Sequence, residues 1–105
     1  MQTVEYSDVF YILDSKSMLL KSYYELNEND SLFSLCNSFS ILLRRKKLIS
    51  ENHRVNHLNF IRFVKSLMRL DAKDNAKIKL LKKEIEQANK VADKSWLLEK
   101  IAEFL

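Results

Sequence analysis

The sequence contains no glycine and no proline in 105 residues. Average usage would place roughly 7 glycines and roughly 5 prolines in a chain of this length. Glycine supplies the positive φ angles that hairpins and phosphate-binding loops need, and proline marks many tight turns. Their absence argues against an all-β fold and excludes the P-loop, the dinucleotide-binding fingerprint and the nucleophile elbow. We therefore predict an all-α fold.

Cysteine and long apolar runs are also scarce. Cys36 is the single cysteine, so it cannot form a disulfide within the chain, which agrees with a reducing compartment. No apolar run approaches the roughly 18 residues of a membrane span. The first ten residues lack the basic segment and apolar core of a secretory signal. We therefore expect a cytoplasmic protein without a membrane partner.

Charge is distributed unevenly along the chain. Residues 1–43 carry two lysines against six acids, a net charge of −4, and residues 44–69 carry eight basic residues against one acid, a net charge of +7. Residues 70–105 carry eight lysines against seven acids, a net charge of +1. This asymmetry indicates either complementary contacts between neighbouring helices or copies of the chain, or an anionic partner.

Apolar residues recur at spacings of three and four, which predicts five helices. The first helix starts at Ser7 or Asp8 and ends near Leu26. The others open at the N-cap candidates Asp30, Ser50, Asp74 and Asp93. Asn27 stands where a glycine commonly ends a helix, and asparagine tolerates the left-handed conformation. The residues predicted to be buried are Val9, Ile12, Leu13, Leu19, Leu20, Tyr23, Tyr24, Leu32, Leu35, Cys36, Phe39, Leu42, Leu43, Phe60, Ile61, Val64, Leu67, Ile78, Leu81, Ile85, Ala88, Trp96, Leu97, Ile101, Phe104 and Leu105.

The first two predicted helices resemble a tetratricopeptide (TPR) repeat, a 34-residue helix–turn–helix. Four features fall at the offsets of that pattern: Leu19, the pair Tyr23-Tyr24, the turn at Asn27, and Phe39. The sequence departs from the pattern where Lys16 replaces the tryptophan, where Leu20 and Leu32 replace small residues, and where Asn27 replaces the turn glycine. The match covers about 30 of the 105 residues and has no closing proline.

The segments LNFIRFVKSLMRL and DKSWLLEKIAEFL are similar to the C-terminal ends of uncharacterised bacterial proteins built from TPR-like arrays. Together the resemblances imply one TPR-like domain over residues 1–105, with hairpins over 8–46 and 50–89 and a capping helix over 93–105. These antiparallel hairpins would stack as a short solenoid, the C-terminal part of a longer protein, in which Tyr6, Phe10 and Tyr11 could meet upstream helices. Such solenoids bind peptides or proteins, so the resemblance implies an interaction or scaffolding module.

The third predicted helix carries a stripe of cations within roughly 80° of one another on a helical wheel, opposite the apolar residues. We call it the basic stripe; it consists of Arg54, Arg62, Lys65 and Arg69. By the TPR resemblance, Lys21 and Tyr24 of the first helix would sit next to it. The six residues together would form a groove for an acidic peptide or a carboxylate. An ordinary solvated helix face would give the same pattern.

Other functions have less support from the sequence. Residues 44–69 could bind the phosphates of a nucleic acid, although no base-reading motif accompanies them, and the acidic and basic parts could support self-association into a homo-oligomer. His53 and His57 have the i, i+4 spacing of many zinc sites, but no third ligand and no HExxH acid are evident. We interpret them as partly buried. Cys36 is expected to be buried and inert, and we expect no enzyme activity, cofactor or metal.

Overall fold

The structure is a computed structural model that describes residues 6–105. The fold is all-α, as the missing glycine and proline predict, and the described residues contain no strand. The five helices are α1 Tyr6–Glu25, α2 Asn29–Arg45, α3 Glu51–Arg69, α4 Asn75–Gln87 and α5 Lys94–Ala102. The end predicted for α5, Leu105, is three residues later than the end at Ala102. Tyr6 was predicted to contact upstream helices, and its side chain lies outside what the structure describes.

The chain divides into two compact units, residues 1–51 and 52–105. The first contains the hairpin of α1 and α2, and the second contains α3, α4 and α5. The single TPR-like domain over residues 1–105 stays a prediction.

The core of the first unit lies between α1 and α2, which pack against each other. Its buried residues repeat at spacings of three and four, so each helix turns one apolar stripe inward. They are Val9, Leu13, Leu20, Leu32, Leu35, Cys36, Phe39 and Leu43. Burying one such side chain contributes about 1.5–3 kcal/mol. The prediction for Leu19 is wrong: it is 41% exposed, because it lies about 100° around α1 from the buried Leu20.

A Schellman turn joins α1 to α2. The amide of Glu28 donates to the carbonyl of Tyr23 at 2.9 Å and the amide of Asn27 donates to that of Tyr24 at 3.2 Å. Asn27 has φ 57°, so the predicted left-handed stop is confirmed. The predicted cap at Asp30 is wrong: α2 begins at Asn29 and Glu28 is its N-cap residue. Asp30 instead lies in the first turn, where the helix dipole favours a carboxylate.

Substitutions at position 27 test this turn. Asn27→Ala is expected to lower the free energy of unfolding by about 1 kcal/mol, because a Cβ without a polar group is disfavoured in the left-handed region. Asn27→Gly should leave the protein at least as stable as the wild type, since glycine adopts positive φ without steric cost. Urea denaturation, followed by circular dichroism, gives the order of stability of the three proteins. Equal stability of the alanine and glycine variants would contradict the positive φ.

The second unit has a core formed by all three of its helices. The buried residues are Phe60, Ile61, Phe63, Val64, Leu67, Ile78, Leu81, Ile85, Leu97 and Ile101. Phe63 was not predicted, whereas Leu105, predicted as buried, is exposed after the end of α5. Within this unit, α4 and α5 pack against each other most extensively. Trp96 of α5 packs against Phe60 of α3 with ring centroids 6.0 Å apart and a 58° interplanar angle, a favourable tilted arrangement.

The loop between α4 and α5 is held by hydrogen bonds to α3. The Asn59 side-chain amide donates to the carbonyl of Lys90 at 2.7 Å, and the amide of Ala92 donates to the carbonyl of Asn56 at 3.0 Å. Polar backbone groups of the loop are thereby satisfied. These bonds fix the position from which α5 begins.

Lys94 caps the end of α4 from the first turn of α5. Its Nζ donates to the carbonyls of Glu86 and Ala88 at 2.7 and 2.9 Å. A cation is favourable there because the last carbonyls of a helix carry partial negative charge. The cap therefore stabilises the close packing of α4 and α5.

Asp74 caps α4 as the sequence predicts. Its Oδ1 accepts a hydrogen bond from the amide of Lys77 at 3.1 Å. We expect Asp74→Ala to lower the free energy of unfolding by about 1 kcal/mol, because one helix N–H loses its acceptor. Asp74→Asn is the matched control, since asparagine caps a helix as well as aspartate does. If the two variants unfolded at the same urea concentration, the cap would not contribute.

Candidate functional site

The basic stripe lies on the outer side of α3, opposite the buried residues of that helix. Arg62 and Arg69 are exposed, whereas Arg54 and Lys65 are half-buried. The last two turns of α3, residues 62–69, contain three cations and no acid. The stripe is therefore most strongly positive towards the C-terminal end of α3, where the helix dipole also favours cations.

A groove of about 410 Å³ lies next to this end of α3, within the second unit. It combines apolar and charged side chains from the end of α3, the following turn and α4: Ser66, Arg69, Leu70, Asp71, Lys77, Leu80, Leu81 and Glu84. Leu81 also belongs to the buried core, so this part of the lining is held by the packing of the unit. A groove lined by leucines and charged side chains suits an apolar side chain flanked by polar groups.

Of the eight residues that line the groove, the sequence predicts only Arg69 as a binding residue; among the other seven, Leu80 is the most exposed leucine. It is 60% exposed, although leucine is among the residues most often buried. A signal was present: Ile78, Leu81 and Ile85 define the buried stripe of α4, and Leu80 lies about 100° away from it on the helical wheel. An apolar residue that interrupts the polar face of a helix can indicate a contact outside the fold.

Arg62 of the basic stripe is engaged with its own unit. Its guanidinium carbon lies 4.3 Å from the centroid of the Phe63 ring, and its Nη1 lies 4.0 Å from Oε2 of Glu84 on α4. Both charged side chains are about half exposed, so the ion pair contributes about 0–1 kcal/mol. Arg62 therefore contributes to the α3–α4 contact as well as to the positive face.

Two carboxylates lie among the residues that line the groove. Glu84 faces Arg62, as described above. Asp71 accepts a hydrogen bond from the amide of Lys73 through Oδ1 at 2.9 Å, which shapes the turn after α3. Arg69 and Lys77 balance these charges within the lining. The groove is thus mixed in charge, whereas the adjoining stripe is positive.

The six predicted binding residues are divided between the two units. Arg62, Lys65 and Arg69 lie along the last two turns of α3, and Arg54 continues the stripe two turns earlier. Lys21 and Tyr24 are half-buried residues of α1 in the first unit. The structure therefore brings together the part of the predicted site that belongs to α3, and adds the groove.

His53 and His57 are partly buried, as predicted. Nδ1 of His57 lies 2.8 Å from the carbonyl oxygen of His53, one turn earlier, and the ring centroids are 6.4 Å apart. Within residues 6–105, no group of three or more histidine, cysteine or acidic side chains could hold a metal ion. Cys36 is buried and forms no disulfide, so its predicted burial is confirmed.

Comparison of the chain with models of protein families, with curated proteins and with solved structures found no match in any of the three. Among the helices of the described residues, none has both the length and the apolar character needed to cross a membrane.

Proposed function

We propose that this chain is a protein-interaction module that binds an acidic peptide segment on the α3–α4 surface of its second unit. The observation that carries the proposal is the groove of leucines and charged side chains, with Leu80 exposed and Arg69 of the basic stripe in its lining. An apolar side chain of the peptide would enter the groove. Its carboxylates would accept charge-assisted hydrogen bonds from Lys65 and Arg69.

The composition of the groove favours a peptide over a nucleic acid. A phosphate backbone would be repelled by Asp71 and Glu84, and the exposed leucine offers nothing to a phosphate. A peptide can place an apolar residue over Leu80 and direct its acidic residues towards α3. A peptide bound in this way gains most of its affinity from a few buried anchor residues, not from its total charge.

The TPR-like assignment, the C-terminal position in a longer protein and the cytoplasmic location are parts of this proposal. The Schellman turn at Asn27 supports the helix–turn–helix of a TPR-like repeat, with asparagine in place of glycine. The single, buried cysteine, which forms no disulfide, agrees with a reducing compartment. Lys21 and Tyr24 of α1 stay predicted binding residues by the TPR resemblance, in the first unit.

Selection from a peptide library at about 50 mM and about 200 mM salt tests the proposal, because a charged contact weakens as salt increases. We expect enriched peptides that combine a leucine or phenylalanine with neighbouring glutamates or aspartates. A charge-swapped version of the best peptide, with lysines in place of its acids, is the matched control and should not bind. Enrichment of basic or purely apolar peptides would contradict the proposal.

Labelled single- and double-stranded oligonucleotides are titrated under the same conditions. Binding that falls steeply with salt, together with no enrichment of acidic peptides, would assign the basic stripe to phosphate contacts instead.

A further inference from the structure

The groove between α3 and α4 carries charges of opposite sign along its length. On α4 its lining residues follow one another at spacings of three and four: Lys77, then Leu80 and Leu81, then Glu84. Residues at these spacings lie on one side of a helix. Lys77 and Glu84 are therefore two turns apart, about 10 Å along the helix axis, with the leucines between them. A ligand that lies along the groove passes from a cation to a carboxylate.

The residues of α3 agree with this polarity. Arg62 lies beside Glu84 of α4, with Nη1 of Arg62 4.0 Å from Oε2 of Glu84. Arg69 follows Arg62 by two turns, and the chain reverses its direction between the two helices. Arg69 therefore lies towards Lys77, next to the turn that joins α3 to α4. We call this the turn end of the groove, and we call the other the Glu84 end.

The turn end is suited to a carboxylate of a ligand. Arg69 and Lys77 both line it. Its acids are engaged with the backbone, since Asp71 accepts from the amide of Lys73 at 2.9 Å and Asp74 accepts from that of Lys77 at 3.1 Å. The Lys77 side chain is 75% exposed, and its Nζ lies 3.9 Å from Asp74, a distance typical of a weak surface pair. Its ammonium group can therefore turn towards a ligand.

The Glu84 end is unfavourable for a carboxylate of a ligand. The Arg62 guanidinium lies over the Phe63 ring, 4.3 Å from its centroid, and beside Glu84. A ligand carboxylate would reach Arg62 only by displacing Glu84, and would otherwise lie next to a like charge. Like charges brought together in a complex act against binding. A ligand cation gains little at this end, because Arg62 repels it.

We infer that Glu84 determines which acidic peptides the groove accepts: those whose acids lie on one side of the apolar anchor, over the turn end. The inference rests on the peptide binding proposed above and specifies the order of residues in the ligand. Acidic residues come on one side of the apolar residue and uncharged residues on the other, in either chain direction. Glu84 thus acts through specificity, not through attraction.

Net charge and Glu84 predict opposite effects of additional acids in the peptide. The chain has a net charge of +4. If this total governed binding, a peptide with acids on both sides of its anchor would bind more tightly than a peptide with acids on one side. Glu84 predicts the reverse, because the second group of acids would lie over the Glu84 end.

Two synthetic versions of the peptide selected from the library test the inference. The one-sided peptide has glutamates only before its apolar anchor, and the two-sided peptide has them before and after it. Affinities are measured by fluorescence anisotropy at about 50 mM salt, where charge effects are strong. The wild type should bind the two-sided peptide at least about fivefold more weakly than the one-sided peptide. Glu84→Gln should reduce this difference to less than about twofold, by binding the two-sided peptide more tightly.

Glu86→Gln is the matched control. It makes the same change on an exposed residue of α4 that pairs with Lys82 at 3.6 Å and does not line the groove. This variant should discriminate between the two peptides as the wild type does. Glu84 and Glu86 are both exposed, so both variants should keep the helix content and the urea midpoint of the wild type.

The outcomes separate this inference from the proposed function. A Glu84→Gln protein that discriminates between the peptides as strongly as the wild type would overturn the inference and leave the peptide binding intact. A wild type that prefers the two-sided peptide would do the same. If the wild type bound neither peptide, the proposed function would be contradicted, and the inference with it.

Discussion

Replacing Phe60 by alanine is expected to lower the free energy of unfolding of the second unit by about 3–5 kcal/mol. Phe60 is fully buried on α3, and its ring packs against Trp96 of α5. The substitution removes that contact and leaves a cavity at the point where α3 meets α5. Because a small domain is stable by only about 5–15 kcal/mol, this loss would be a large part of the total.

The single tryptophan makes the measurement specific to the second unit. Urea denaturation is followed by Trp96 fluorescence and, in parallel, by circular dichroism over the whole chain. Leu105→Ala is the matched control in the same unit, since Leu105 is exposed and should change stability by less than about 0.5 kcal/mol. A Phe60→Ala protein as stable as the control would show that the packing of α5 on α3 is wrong.

Two single substitutions in the groove should each weaken peptide binding at least tenfold. Leu80→Glu places a carboxylate where the apolar side chain of an acidic peptide would enter, and Arg69→Glu reverses a charge of the basic stripe. Each tenfold loss corresponds to about 1.4 kcal/mol of binding free energy. Both residues are exposed, so the free energy of unfolding should change little.

A matched control for charge comes from the same unit. Lys79→Glu makes the same change of two charge units on an exposed residue of α4 that does not line the groove. The affinity of the peptide selected from the library, measured by fluorescence anisotropy, should fall far more for Arg69→Glu than for Lys79→Glu. Equal losses in the two variants would mean that net charge, not the groove, attracts the peptide. If the Leu80→Glu variant bound the peptide with unchanged affinity, the groove would not hold an apolar side chain of the peptide next to Leu80.

The fold could be predicted from the sequence because its signals are local. Spacings of three and four residues specify the buried stripes of the helices, and Asn27 and Asp74 end and begin helices by their own backbone and side-chain preferences. Errors arose where two signals overlap. Asp30 is a good cap by type, but the Schellman turn at Asn27 places the start of α2 one residue earlier.

The candidate site was only partly predictable, because it depends on contacts between helices. The basic stripe follows from positions along α3 alone. The groove cannot be predicted in this way, because its shape depends on the distance between α3 and α4, which is set by the packed side chains. Arg62 shows the same limit: its sequence position predicts an exposed cation, and only the structure shows that it lies over the Phe63 ring and beside Glu84 of α4.

Nuclear magnetic resonance titration of the full chain with the selected acidic peptide tests peptide binding at the α3–α4 surface most directly. Amide shifts of ¹⁵N-labelled protein are recorded with increasing peptide, and the charge-swapped peptide serves as the control. We predict that the largest shift changes fall on Ser66, Arg69 and Leu80, with smaller ones along the rest of the basic stripe. Shift changes that fall elsewhere and leave these residues unaffected would contradict a binding site on the α3–α4 surface.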